Sequence, residues 1–504
     1  MLLNLTSFNL KAVKRVCLIL LLITTSLLLS AQQWEIDFGN SSTYTWLSQG
    51  ITDREQNAIF FGKSGSDKTD CYPYFIRVDQ EGNHQSYVLG DERFQNLNKP
   101  SMVQMEDGNF FMVGDVEKNA IYAIVLDSDF NVLSCKRYDK PEDAHSMVGG
   151  HLVLDHDGTV VLAGSCNYDE NGWGYRHYFC RFDNQADTIA SRFYTPETQP
   201  GIIAYEYELD QLLLNPYGGF VLLGAGLHGA RSILRFDGNF NYMGGNQLYA
   251  NRRLFNDAYS DHWLPNDQLL VMGRVASFDD NLESVGLAKL GLDGTMESIE
   301  RFYCKRDTII QTGKGTKCMA YVNDTTVYGM FYHQWYLGGP SVTHICLADI
   351  EMEVLGHKEI TTETSDYYFP GSILSTPDGG CIISVMEYHA FGENHYHGKI
   401  IRFSRNDFNP IPCSVKEMPE KAIKALAYPN PAGDELNIDI SGLTKHNEHR
   451  IRITDALGCI CMDRIIRGEG NVLTVGVSGL KTGVYVYSIY NAEKEIVRNK
   501  FIKE

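Results

Sequence analysis

Three stretches concentrate side chains able to bind or react. Cys166 to Phe179 carries Trp173, Tyr175 and His177; Phe331 to His344 carries His333, Trp335 and Tyr336; Glu387 to Gly398 carries His389, His395 and His397. Flat amphipathic rings such as Trp173, Tyr175, Trp335 and Tyr336 stack on sugar rings or aromatic side chains at low entropic cost. The plainer reading has them packing the loops against their neighbours. His395 and His397 alternate along an apparent strand and so face one side, with His389 near by and His333 and His344 one repeat away. Three imidazoles could hold zinc or copper, although histidines on an exposed rim usually bind nothing.

Asn167, Asp169, Asn171 and Gly172 fit the first half of a calcium loop, with oxygen ligands at alternate positions and glycine at the sharp turn. Asn stands where the pattern opens on Asp, and Tyr178 where a bidentate Glu closes it, so a solvated turn is the stronger reading and no cofactor is expected. Clusters such as Asp127-Ser128-Asp129 and Asp237-Gly238-Asn239 are also read as turns. G-x-S-x-G, H-E-x-x-H and P-loop patterns are absent. Carboxylates contributed by different repeats could still meet for glycoside cleavage.

The elements that must position these groups recur. The second strand of a repeated unit ends in Gly62, Gly114, Gly164, Gly224, Gly273 and Gly329, with Ser384 in a seventh copy, at spacings of 49 to 60 residues. That period suits propeller blades. Hairpin turns such as Asp107-Gly108, Asp157-Gly158, Gly218-Gly219 and Asp378-Gly379 precede most of the anchors. Four short strands per copy cannot bury two apolar faces alone, so the copies must stack around an axis. The seventh copy lacks a fourth strand, because Pro410 and Pro412 interrupt it; Gln33 to Phe38 alternates like one and can close the ring. The expectation is an all-β chain: a seven-bladed β-propeller over residues 32–412, with the rim of second-to-third-strand loops as its binding side.

Residues 1–31 place Lys11, Lys14 and Arg15 before an apolar run from Val16 to Leu29, then Ser30 and Ala31, as in a secretory signal peptide. No later run is long enough to be a transmembrane segment. Without those 31 residues the formal charge moves from -19 to about -22, which argues against nucleic-acid partners. Eleven cysteines remain, an odd number. Export permits a bridge such as Cys304 to Cys318, while small buried thiols are the better reading for most.

Residues 413–425 read as a polar linker. The following stretch, 426–504, carries Tyr428-Pro429-Asn430-Pro431-Ala432, a turn from Asp455 to Gly458, Leu480 with Gly483 and Tyr485, and a basic end at Lys500 and Lys503. It closely resembles the type A C-terminal sorting domain of the type IX secretion system, a β-sandwich. The resemblance implies that the secretion machinery is a partner, that the address is the exterior or outer surface of a Gram-negative cell, and that the final residues are the sorting signal. Lys and Arg number 11 against 10 Asp and Glu in the last 81 residues, so the acidic excess belongs to the propeller. The function expected is binding or adhesion to a glycan or protein, with a hydrolytic enzyme using dispersed carboxylates as the alternative.

Overall fold

The computed structural model describes residues 33–504 apart from 40–42, 170–173, 196–201, 204–210, 228–229, 251–252, 261–262, 265–266, 278–282, 305–307, 313–316, 336–340, 362–366, 389–395, 409–426, 440–447, 456–459, 468–471 and 492–493. The leader, the linker, Cys459 and the side chain of Cys304 therefore lie outside the described residues. The chain divides into two compact units, Met1–Ile411 and Pro412–Glu504.

Among the described residues the first unit holds seven antiparallel sheets of four or five strands, each sheet a blade of a β-propeller. Blade 2 is the simplest: Asn98–Gln104, Phe110–Val116, Ala120–Leu126 and Val132–Asp139 pair in sequence order. Its two middle strands are buried along nearly their whole length, because both faces meet a neighbouring sheet. Its fourth strand alternates half-buried with exposed. Apolar clusters form between successive blades, such as Phe75, Phe94, Phe110 and Ile124 between blades 1 and 2. The ring closes through Ile36, Phe38, Leu47, Phe60, Ile382 and Ile400, which join the N-terminal strand, blade 7 and blade 1.

Closure follows the expected route. Trp34–Phe38 runs antiparallel to Tyr396–Phe403, with Trp34 opposite Arg402 and Phe38 opposite Gly398. Trp34 Nε1 donates to the Gln80 carbonyl at 3.2 Å, and Lys399 pairs with Glu35. Thus the N-terminal strand hydrogen-bonds blade 7 and docks on blade 1, covering an edge that would otherwise stay open.

The anchor glycines have a steric cause. Inner strands slip register opposite them, between Leu47 and Gln49 in blade 1 and between Asn98 and Ser101 in blade 2. The slip presses the inner backbone inward, so that a Cβ on Gly62 would collide with the Trp46 carbonyl. In blade 7 the same slip falls between Pro370 and Ser372, and Ser384 Oγ accepts the Ser372 backbone N–H at 2.9 Å. A hydroxyl there satisfies the displaced backbone.

Turns between third and fourth strands share one design. Asp127 Oδ1 accepts the backbone N–H groups of Asp129 and Asn131, both at 2.9 Å, and Asp237 does the same for Asn239 and Asn241. Burial raises the pKa of Asp127, but the Asn131 side chain and these N–H groups outweigh it and hold the carboxyl below its usual range. Phe130 and Phe240 occupy left-handed backbone at φ 62° and 63° in these turns. The conformation is unfavourable for a bulky residue, yet Phe130 stacks 4.6 Å from Phe75 in the neighbouring blade. Inter-blade packing offsets the local cost.

Cys71, Cys166, Cys346 and Cys381 are buried free thiols. Burial pushes the Cys346 thiol up to about 12, so these cysteines act as small apolar residues.

The second unit is a β-sandwich. Ala427–Tyr428, Glu435–Asp439 and Val472–Gly476 form one sheet; Ile460–Arg467, Glu448–Asp455, Gly483–Asn491 and Lys494–Lys503 form the other. Leu436, Ile438 and Val475 meet Ile451, Ile453, Tyr487 and Phe501 in its core. The Tyr428–Pro429 and Asn430–Pro431 peptides are cis. Asn430 Oδ1 accepts the Ile502 N–H at 2.9 Å and Ala432 N–H donates to the Ile502 carbonyl at 2.7 Å, tying the proline-rich start to the last strand. Tyr485 is buried with its hydroxyl on the Lys481 carbonyl, Gly483 is half-buried, Lys500 is exposed and Lys503 is buried. Gly458 lies outside the described residues, and Cys461 is exposed.

Candidate functional site

The loop tips singled out by sequence are largely beyond description: Asn171, Trp173, Tyr336 and His395 lie outside the described residues, as does the Trp335 side chain. Of their neighbours, Tyr175 and His177 belong to the third strand of blade 3, Tyr175–Phe182, and are only 4% and 2% exposed. Both are packed, Tyr175 against Val148, because this strand is covered on both faces. Burial, with Arg176 near by, pushes the His177 imidazole down to about 3 against the pull of the Gly164 backbone, so it is neutral. Asn167 Oδ1 accepts the Asp169 N–H at 3.0 Å, a turn contact of the kind the alternative to calcium requires.

A different constellation stands at the same rim, where Tyr44 opens the inner strand of blade 1, Tyr44–Thr52, and Tyr396 opens the third strand of blade 7. Tyr396 of blade 7 lies edge-on to Tyr44 and to Trp46 of blade 1, each 5.2 Å away between centroids. All three rings are half-buried, leaving part of each open. Lys63 Nζ sits 5.6 Å from the Tyr44 ring centre and donates to Asn98 Oδ1 of blade 2 at 3.3 Å. Asn98 is the register partner of Asp115.

Asp115 is 2% exposed. Burial pushes its carboxyl up to about 6, against the pull of Lys99, the Gly149 backbone N–H, Lys118 and Lys63. Lys99 and Lys118 hold left-handed backbone, at φ 47° and 57°. Two strained lysines beside one buried carboxyl form an arrangement that the rest of the fold must maintain. A carboxyl near 6 keeps an appreciable protonated fraction close to neutral pH, whereas an ordinary surface aspartate is almost wholly ionised there.

Sequence reasoning missed this group because it looked to long loops, and these side chains come mostly from strands of three blades, with a backbone N–H from a fourth. A signal was present: Lys63 and Asp115 each follow their blade's anchor glycine, so equivalent positions in adjacent blades carry opposite charges.

The histidines also regroup. His397 lies 3.4 Å from Glu387 Oε2, its direct partner across blade 7. His333 and His344, expected to join it, are buried in blade 6 and align instead with His357 on the fourth strand. Burial holds the His357 imidazole below its usual range, with Glu359 opposing.

Fold and rim together define a β-propeller with an aromatic and charged patch at one rim, followed by a separate β-sandwich. Residues 426–504 match the family described as the secretion system C-terminal sorting domain. The chain is therefore cargo of the type IX secretion system, addressed to the surface or exterior of a Gram-negative cell. Among the described residues no helix is long and apolar enough to cross a membrane. No curated protein matches the chain. Solved structures similar to it include a Dyadobacter fermentans protein of unknown function, at 10% identity and TM-score 0.43, covering 73% of this chain and 98% of that one. A PL25 ulvan lyase aligns at 9% identity and TM-score 0.44, covering 75% and 98%, and a Penicillium chrysogenum α-L-arabinanase at 10% and 0.38, covering 75% and 99%.

Proposed function

We propose that the propeller is a surface or secreted binding module for an anionic glycan, seated on the strip from Tyr396, Tyr44 and Trp46 to Lys63 and Lys99. The observation that carries this reading is the trio of partly open rings adjoining lysines in a protein whose propeller is otherwise strongly acidic. Rings stack on sugar faces, and the lysines select carboxylate or sulfate groups. Binding of the exported protein to an array of neutral, carboxylated and sulfated polysaccharides tests it. Trp46→Ala and Lys63→Met each weaken binding, and salt weakens it further. No anionic glycan bound, or binding untouched by both substitutions, refutes the reading.

One observation favours a second reading, a glycan-cleaving enzyme. Asp115, with its carboxyl near 6, has the protonation behaviour of a general acid or base. Product release from the bound polysaccharides, abolished by Asp115→Asn while binding persists, distinguishes the enzyme from the binding module.

A further inference from the structure

Blade 6, which contributes nothing to the aromatic and lysine strip, gathers metal-ligating side chains on one face. Its second, third and fourth strands are Thr326–Trp335, Val342–Asp349 and Val354–Thr361. His344 pairs directly with Glu359, and His357 pairs with Cys346 two residues along. Positions opposite one another, and positions two apart, share a face of a sheet. As a result His344 Nδ1 lies 2.9 Å from His357 Nε2 and 3.6 Å from Glu359 Oε1. One ligand atom from each of the three falls within 4.8 Å of the others.

Around a tetrahedral ion with bonds of 2.0–2.1 Å, ligand atoms stand roughly 3.4 Å apart. The observed separations straddle that value, and small rotations of His357 and of the exposed Glu359 side chain bring them to it. We propose that His344, His357 and Glu359 form a binding site for one divalent transition-metal ion of the zinc type, with a fourth position open to solvent.

Two further features support the assignment. His344 is fully buried, stacks on Phe331 at 4.7 Å and 11°, and has its Nε2 2.6 Å from His333 Nδ1. With the proton of His344 on Nε2 and shared with His333 Nδ1, the Nδ1 lone pair of His344 faces the site. Outer partners of this kind orient metal-bound histidines. His357 needs only to carry its proton on Nδ1 to offer Nε2. Two neutral imidazoles and one carboxylate suit borderline ions, whereas calcium and magnesium require an oxygen cage. Glu359, whose side chain is 54% exposed, supplies the charge and the solvent side.

The test is titration of chelator-stripped full-length protein with Co(II), followed by visible spectroscopy and competition with Zn(II). One equivalent should give the d–d bands of a four-coordinate ion and be displaced by zinc. Glu359→Gln, at an exposed position that leaves folding intact, should weaken binding by more than about 100-fold, since even outer-shell partners are worth 10–100-fold. His357→Gln should do the same, and His333→Phe should cost the outer-shell amount. The combined His395→Ala and His397→Ala variant should bind as the parent does. Absence of four-coordinate bands overturns the proposal. So does binding that survives Glu359→Gln, or that disappears with the blade 7 histidines.

Discussion

Replacing Asp115 by asparagine tests the electrostatics of the buried carboxyl and the lysines around it. The parent carboxyl is pushed from an ordinary 3.8 to about 6, chiefly by burial. That gap of about two on the pH scale corresponds to ~3 kcal/mol of differential stability. The folded protein holds the proton more tightly than the unfolded chain does. The contribution to stability is therefore whole below about pH 4, declines as pH rises to about 6, and is absent above. Asparagine has no charge to bury, so Asp115→Asn should match the parent near pH 4 and exceed it by up to ~3 kcal/mol at pH 7.5, a figure already net of the lysines' opposing pull. Urea unfolding of both proteins at half-unit intervals from pH 4 to 8 measures the difference directly. Lys99→Met and Lys118→Met, which remove the opposing cations, should move the upper end of the window above pH 6. Parallel pH profiles for parent and Asp115→Asn would refute the reasoning, because they would mean that the carboxyl titrates alike in both states.

Ring closure predicts that Phe38→Ala, which opens a cavity between blades 7 and 1, costs about 3–5 kcal/mol in chemical denaturation and exposes the blade edge to proteolysis. Ser384→Ala should cost about 1–3 kcal/mol in the same measurement, because the buried Ser372 N–H loses its acceptor; Ser384→Thr should recover part of that loss. Phe501→Ala removes a fully buried ring of the sandwich and should leave the protein in the periplasm, read by fractionation, while the propeller's own melting transition is unchanged. Trp46→Ala should reduce glycan affinity by about 1–2 kcal/mol, the order of one ring contact, without moving that transition.

How far the sequence speaks depends on whether a feature repeats. Gly62, Gly114 and Gly164 recur where the inner strand opposite slips register, so comparing copies within one chain reveals both the scaffold and its period. Trp34 to Phe38 is legible as the missing strand for the same reason: six copies show what the seventh lacks. Asp127 and Asp237 could be assigned to turns from residue type alone, since the Asx contacts that satisfy them are local. The candidate site is legible only in part. Tyr175 and His177 look like loop residues by composition, yet they belong to a strand covered on both faces. Asp115 looks like an ordinary aspartate until the inner strand of blade 3 is laid over it.

Local and repeated interactions thus let the sequence by itself determine the all-β repeat, the closing strand, the turns and the sorting sandwich. What stands next to what across strands and blades was decided by the tertiary structure. Lys63 meets Asn98, Asp115 meets Lys99 and Lys118, and His344 meets His357 and Glu359 only through strand register and blade stacking. Those neighbours set burial, and burial sets protonation and ligand geometry, which no pattern along the chain encodes.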